Sequence, residues 1–155
     1  AMRAAWPAHK PLGVRISATD WIDGGWDLDG SRAFAKAVER LGCDWIDVSS
    51  GGISPRQKIA IGPGYQVPFA EAIKAEVKMP VMAVGLITVP QQAEDIVAQG
   101  KADLVALARG MLLDPRWAWH AAGALGASVD APRQYWRSQS AQQKTLFGPT
   151  TFGQR

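Results

Sequence analysis

Two stretches of the sequence end an apolar run in residues suited to binding an anion. Residues 103–115 lead through a short apolar segment into Arg109, which small residues flank and a helix-like run follows. An earlier stretch, residues 80–88, has the same form and ends in Gly85. A buried strand that delivers a cation and free backbone N–H groups to a helix start suits a phosphate. We therefore predict one anion site built from consecutive strand ends.

A second cation, Arg15, lies within an apolar strand pattern. Its neighbours Val14 and Ile16 are apolar, so its side chain points to the opposite face of the strand from theirs. A charged group inside a sheet layer requires an anionic partner. Two interpretations stay open at this point: a structural ion pair, or a contact with a bound anion.

The segments that must position these residues alternate between strand and helix patterns. For example, apolar residues at 34, 35, 38 and 41 have helical spacing, and Gly42 follows as a stop. Such alternation predicts an α/β fold of four consecutive βα units, a parallel sheet with helices outside it. The predicted strands are residues 11–18, 44–49, 80–84 and 103–107, and the predicted helices are 29–41, 67–77, 90–99 and 115–125.

Ligands collect at the carboxyl ends of parallel strands, and that rule selects one position on each predicted unit. The selected residues are Arg15 on the first strand, Ser49 after the second, Gly85 after the third, and Ala108 with Arg109 after the fourth. Residues 50–65 form a Gly/Pro-rich loop that is too long for a plain connector, and such loops often carry function. The similar phrases at residues 42–46 and 100–104 are interpreted as a shared helix-to-strand turn.

Composition narrows the functional classes. A hydrophobic fraction of 47%, a charged fraction of 20% and a net charge of +3 from scattered residues are typical of a soluble globular protein without a nucleic-acid patch. Cys43 is the single cysteine, which excludes an intrachain disulfide, and His9 and His120 lack ligand spacing, so we expect no metal. Without a signal peptide or an apolar run of about 20 residues, we predict a cytosolic protein with no membrane contact.

The two ends of the sequence differ from its middle. Residues 2–6 look like the last turn of a helix that Pro7 stops, so we expect a piece of a longer protein. Residues 138–155 are polar with Gly and Pro, and we expect a tail that is either disordered or laid on another surface.

Several phrases carry a definite resemblance when they are taken together. They occur in the order VRISA (14–18), DVSSG (47–51), PGYQV (63–67), AVGLI (83–87), ARGMLLDP (108–115) and QYWR (134–137). In this order they resemble the carboxyl-terminal half of the Old Yellow Enzyme family of NADH:flavin oxidoreductases. The nearest branch is the bacterial one that includes the xenobiotic reductases. The resemblance covers residues 3 to 137.

The resemblance implies a fold and a set of cofactor contacts. The family fold is an eight-stranded TIM (β/α)8 barrel that binds FMN, so residues 1–137 would supply strands five to eight and residues 138–155 the tail. Arg15 would lie against the pyrimidine side of the flavin, where its charge would stabilise the anion formed on reduction. Ser49 would line the FMN chain or phosphate. Backbone N–H groups of Gly85 and Leu86, the Arg109 side chain, and Ala108 (often glycine in the family) would hold the phosphate.

The resemblance also implies which parts this chain lacks. The family's flavin-tuning cysteine, substrate-binding histidine pair and tyrosine proton donor belong to its first half, and Cys43 does not match that cysteine. The chain would therefore contribute no catalytic residue of its own, although Arg137 matches an arginine that reaches a neighbouring subunit's active site. The implied partners are NAD(P)H, an enone-type substrate, and a missing amino-terminal half or a second copy in an oligomer. The alternative is a non-catalytic half-barrel that binds FMN or phosphate, or merely self-associates.

Overall fold

A computed structural model, which describes residues 1–148 and 150, contains one parallel sheet of four strands flanked by helices. The strands are Gly13–Ser17 (β1), Trp45–Ser49 (β2), Val81–Ala83 (β3) and Leu104–Val105 (β4), in the order β1-β2-β3-β4. The helices are Met2–Ala5 (α1), Leu28–Arg40 (α2), Val67–Lys74 (α3), Pro90–Ala98 (α4), Arg109–Leu113 (α5) and Trp117–Ala124 (α6), with a 3₁₀ helix at Arg133–Ser138. The predicted α/β fold of consecutive βα units is confirmed. Among the described residues, no helix combines the length and apolar character needed to span a membrane.

The two faces of the sheet have different surroundings. On one face, Ile46 and Val48 of β2 and Val81 and Ala83 of β3 are fully buried, and α3 packs against both strands. The other face carries Arg15, Asp47, Met82 and Leu104, which the strand register places in one row across the sheet. Leu104 at the end of that row is 45% exposed. One face is therefore the core, and the other is an open surface.

The predicted helix-to-strand turn occurs twice and is closed the same way each time. The N–H of Asp44 donates to the Leu12 carbonyl (2.8 Å), and its carboxylate accepts from the Leu12 N–H (2.7 Å). Asp103 repeats this reciprocal pair with Val81, at 2.8 and 2.9 Å. A cation completes each turn, because Arg3 pairs with Asp44 and Lys74 with Asp103. These two carboxylate clamps hold the amino ends of neighbouring strands together.

Two predicted helix boundaries were wrong. The helix predicted at residues 115–125 is preceded by the separate helix α5, because Asp114, the residue before Pro115, takes an extended conformation (φ −130°, ψ 91°) that proline favours. α6 then begins only at Trp117. The helix predicted at residues 67–77 ends at Lys74, and the N–H groups of residues 78 and 79 donate instead to the Glu39 carboxylate (2.6 and 2.7 Å).

The chain divides into two units, and the sheet lies in the first. The first unit comprises residues 1–88 and 92–107, and the second comprises residues 89–91 and those from 108 onward. The second unit has its own small core of Ala131, Leu146 and Phe147, on which the ring of Trp119 packs edge-on to Phe147 (centroids 5.2 Å apart). Part of the segment predicted as a polar tail thus folds onto this core, while residues 149 and 151–155 lie outside the described residues. The predicted division at residue 137 stays a prediction.

Candidate functional site

Arg15 forms an ion pair on the open face of the sheet. Its Nη1 lies 2.5 Å from Oδ2 of Asp47, its register partner on β2. The Asp47 side chain is only 8% exposed, whereas that of Arg15 is 55% exposed. The structural ion pair anticipated for Arg15 is therefore present. Because the guanidinium stays largely open, its remaining donors are still available to a ligand on that face.

The buried carboxylate of Asp47 is satisfied on one side only. Among the described residues, its Oδ1 atom has no hydrogen-bond partner. A buried charge without its hydrogen bonds is costly, so Asp47 depends on Arg15 for its stability inside the protein. The sequence indicated that an arginine within a strand pattern needs an anionic partner. It did not identify Asp47, because that choice depends on the register between β1 and β2.

The backbone after β3 offers a row of unused donors. Among the described residues, the N–H groups of Gly85, Leu86 and Ile87 have no acceptor, although Gly85 and Ile87 are buried. Gly85 has a φ of 120° and Leu86 a φ of 50°, a conformation that a bulky side chain rarely adopts. The carbonyl of Gly85 is held by a hydrogen bond, which it accepts from the Gly64 N–H (2.9 Å). Buried N–H groups are nearly always paired, so this loop is suited to an oxyanion.

One buried amide joins the carboxyl ends of β2 and β3. Gln66 is 3% exposed, and its Oε1 accepts from the hydroxyls of Ser50 (2.8 Å) and Ser49 (3.4 Å). Its Nε2 donates to the carbonyl of Val84, just before Gly85 (3.1 Å). The structure thus brings Ser49 and the Gly85 loop, two predicted site positions, to the same side chain. Gln66 belongs to the phrase PGYQV (63–67), but nothing in the neighbouring sequence marks it as a buried glutamine with a role in the site.

The remaining predicted residues lie in the second unit. Ala108 is the N-cap of the five-residue helix α5, and Arg109 begins it, as the expected strand-to-helix transition requires. Among the described residues, the guanidinium of Arg109 has no ion-pair or hydrogen-bond partner. Arg137 lies in the last turn of the 3₁₀ helix and lines an open cavity of about 490 Å³, which Lys144 also lines.

The first unit therefore presents two kinds of group at the carboxyl half of its sheet. A half-exposed cation lies on the open face, and a loop of unpaired N–H groups follows β3. The first suits an electron-rich or anionic atom of a flat ligand, and the second suits a phosphate.

Comparison with known proteins shows the family of the chain. The model of the NADH:flavin oxidoreductase / NADH oxidase family matches residues 2–126. The NADPH dehydrogenase of Geobacillus sp. (strain WCH70) is 47% identical over 137 residues, which are 88% of this chain and 39% of that protein. The NADPH dehydrogenase of Listeria innocua serovar 6a is 41% identical over 138 residues, 89% of this chain and 40% of that protein. The chain thus spans about 39% of the length of such relatives.

Solved structures show the same partial coverage. A 2-naphthoyl-CoA reductase complex matches with a TM-score of 0.68 and 26% identity, over 81% of this chain and 20% of that one. The histamine dehydrogenase of Rhizobium sp. 4-9 matches with a TM-score of 0.60 and 24% identity, over 70% of this chain and 16% of that one. The four βα units therefore share the TIM-barrel fold of larger oxidoreductases.

Proposed function

Because the chain belongs to the NADH:flavin oxidoreductase / NADH oxidase family, which is the Old Yellow Enzyme family, we propose that it is the cofactor-binding half of an FMN-dependent ene-reductase. Its oxidoreductase relatives include NADPH dehydrogenases, and NADPH is the reductant we propose here. In a barrel completed by an amino-terminal half, the substrate would be an activated alkene such as an enone. The described residues alone would bind the cofactor without catalysing the reaction.

The observation that carries this proposal is the loop of unpaired N–H groups at Gly85, Leu86 and Ile87. These groups fit a phosphate because three donors in sequence, two of them on buried residues, can surround one oxyanion. The family resemblance, rather than the geometry, is the basis for proposing further contacts. The Arg109 side chain, at the helix start that Ala108 caps, would donate a charge-assisted hydrogen bond to the phosphate, and the Ser49 hydroxyl would line the ribityl chain.

We propose that Arg15, on the open face of the sheet, contacts the flavin ring. FMN, when bound, supplies hydride transfer from a nicotinamide to the alkene. Arg15 would hold its guanidinium against the pyrimidine side of the ring, where a positive charge favours the anionic reduced form. Asp47 would keep the guanidinium in that direction through the 2.5 Å contact while neutralising part of its charge. The degree to which the anionic reduced flavin is stabilised would therefore depend on how much of the Arg15 charge Asp47 neutralises.

Titration of the purified chain with FMN and with riboflavin tests the proposal. We expect FMN to bind more tightly, because only FMN has the phosphate. Arg109→Ala should weaken FMN binding roughly 10- to 100-fold, the value of one charge-assisted hydrogen bond, with little effect on riboflavin. Arg40→Ala, which removes a cation from the last turn of α2, is the matched control. Equal affinity for both flavins, or equal losses for both in Arg109→Ala, would refute the phosphate site.

The open surface favours a second candidate, self-association of a non-catalytic half-barrel. β1 and β4 are both edge strands, and the face that carries Met82 and Leu104 is only partly covered. Exposed edges and faces of this kind pair readily with another chain. Mass measurement in solution separates the candidates: a flavin-free dimer that Leu104→Lys converts to monomers would support self-association, and a flavin-binding monomer would refute it.

A further inference from the structure

Gln66 occupies the junction of the loops that follow three strands. It is the N-cap residue of α3, yet its side chain does not cap that helix. Its buried amide instead makes hydrogen bonds to Ser49, Ser50 and the Val84 carbonyl. The chain of hydrogen bonds begins at the indole of Trp21, in the loop after β1, which donates to the Ser50 hydroxyl (2.9 Å). Ser50 donates to Gln66, and Gln66 donates to the Val84 carbonyl.

The first member of this chain is itself held in an unusual conformation. Trp21 has a φ of 57°, which costs about 1–3 kcal/mol for a residue other than glycine. Its ring packs edge-on to Phe69 of α3 (5.4 Å between centroids). Such strain persists only where the surroundings fix it, so the hydrogen bond to Ser50 and the contact with Phe69 must hold the indole in place.

The Gly85 loop rests directly on the Gln66 side chain. A Cβ atom at Gly85 would lie 2.8 Å from Gln66 Nε2 and 3.1 Å from its Cβ and Cγ atoms. The glutamine thus fills the space that glycine leaves free, and the neighbouring Val84 carbonyl is anchored to the same amide. Leu86 keeps its left-handed conformation immediately beyond this support. The direction of the unpaired N–H groups therefore depends on Gln66.

We infer that Gln66 is a positioning residue, which aims the N–H groups of residues 85–87 at the cofactor phosphate and aligns Ser49 beside them. This role rests on the proposed function, since it requires the loop after β3 to bind an oxyanion. It predicts that the main effect falls on binding of the phosphate. A ligand that keeps the ribityl chain but lacks the phosphate should gain only the small contribution of Ser49. A purely structural glutamine would instead lower the stability of the fold and affect all ligands alike.

Variants of two residues in this hydrogen-bond chain, Gln66 and Ser50, test the role. Gln66→Met conserves length and volume but removes the hydrogen bonds, and Ser50→Ala removes only the link to Trp21 and Gln66. Glu39→Ala is the matched control, because it deletes two hydrogen bonds to backbone N–H groups near the amino end of β3. FMN and riboflavin are the probes, and amide NMR shifts of residues 85–87 in the ligand-free chain give a readout that needs no cofactor.

The expected pattern distinguishes the role from general stability. Gln66→Met should weaken FMN binding about tenfold, the equivalent of one hydrogen bond to a charged group, and riboflavin binding by less than about twofold. It should also shift the amide signals of residues 85–87. Ser50→Ala should show a smaller change in the same direction, and it serves alone if Gln66→Met does not fold. Glu39→Ala should lower the melting temperature without changing the ratio of the two affinities.

Contrary outcomes have separate meanings. If the wild-type chain prefers FMN but the Gln66 and Ser50 variants keep that preference and the wild-type amide signals, the positioning role is wrong and the phosphate site stands. If the wild-type chain binds FMN no better than riboflavin, the phosphate site itself is wrong, and the role of Gln66 is rejected with it.

Discussion

Replacing Gly85 by alanine probes a position of the loop after β3 that is constrained both by its backbone conformation and by the packing of Gln66. The φ of 120° at this position is accessible mainly to glycine, and forcing another residue into it costs about 1–3 kcal/mol. The added Cβ would also lie within 3.1 Å of three Gln66 atoms, an overpacking that costs a further 1–3 kcal/mol or so. We therefore expect Gly85→Ala to lower the free energy of unfolding by about 2–6 kcal/mol.

Gly100 provides the matched control. It also has a positive φ, of 70°, but an added Cβ there would meet nothing within 4 Å. Gly100→Ala should therefore cost only the conformational part, about 1–2 kcal/mol. Urea unfolding measures both, and with an m-value of about 2 kcal/mol/M the Gly85 variant should unfold about 1–3 M earlier than wild type.

A double variant isolates the contact between the two side chains. If the clash contributes as described, Gly85→Ala and Gln66→Ala should be non-additive by about 1–3 kcal/mol, because removing the glutamine relieves the overpacking. Strict additivity, or a Gly85→Ala cost no greater than that of Gly100→Ala, would show that the loop after β3 does not rest on Gln66.

Three further predictions concern charged groups. The Lys74 and Val81 hydrogen bonds lower the pKa of Asp103 below its ordinary value of 3.8, so they stabilise the fold above that pH. This stabilisation should disappear as the pH falls through the lowered pKa. The free energy of unfolding of Asp103→Asn, measured against pH, should therefore fall less than that of the wild type over this range. In the flavin-loaded protein, Arg15→Ala should lower the flavin reduction potential and Asp47→Asn should raise it, each by about 30 mV per 1.4 kcal/mol of lost interaction; shifts of the same sign would contradict their opposing roles. The His120 hydrogen bond lowers the pKa of Asp114, so His120→Ala should return that pKa toward 3.8 in a carbon-13 NMR titration, and an unchanged value would exclude the contact in solution.

The sequence predicted those features that depend on local pattern. The alternation of strand and helix periods and the shared turn at residues 42–46 and 100–104 were confirmed, because both rest on near neighbours in the chain. The strand predicted at residues 103–107 is confined to Leu104–Val105, and the helix predicted at residues 67–77 ends at Lys74. After α3, a partner distant in sequence takes the backbone donors, because the Glu39 carboxylate accepts from the N–H groups of residues 78 and 79.

The candidate site was predictable in its position but not in its connections. Strand ends are recognisable from apolar runs, which is how Arg15, Ser49 and Gly85 were selected. Predicting the partner of Arg15 requires the strand register, and predicting the hydrogen bonds of Gln66 requires knowing which loops meet. These are contacts across 32 residues for Arg15 and 18 for the bond from Gln66 to Val84, beyond the reach of any local signal.

The two carboxylate clamps have a consequence for how the sheet forms and how it tolerates change. Each clamp closes a pair of neighbouring strands through residues only 32 and 22 positions apart, so each pair can assemble early from nearby chain segments. Both clamps lie at the amino ends of the strands, opposite the loops that carry Ser49 and Gly85. The strands are therefore secured at one end of the sheet. Loop positions at the other end that are less closely packed than Gly85 can accept substitutions that alter binding without first dismantling the sheet.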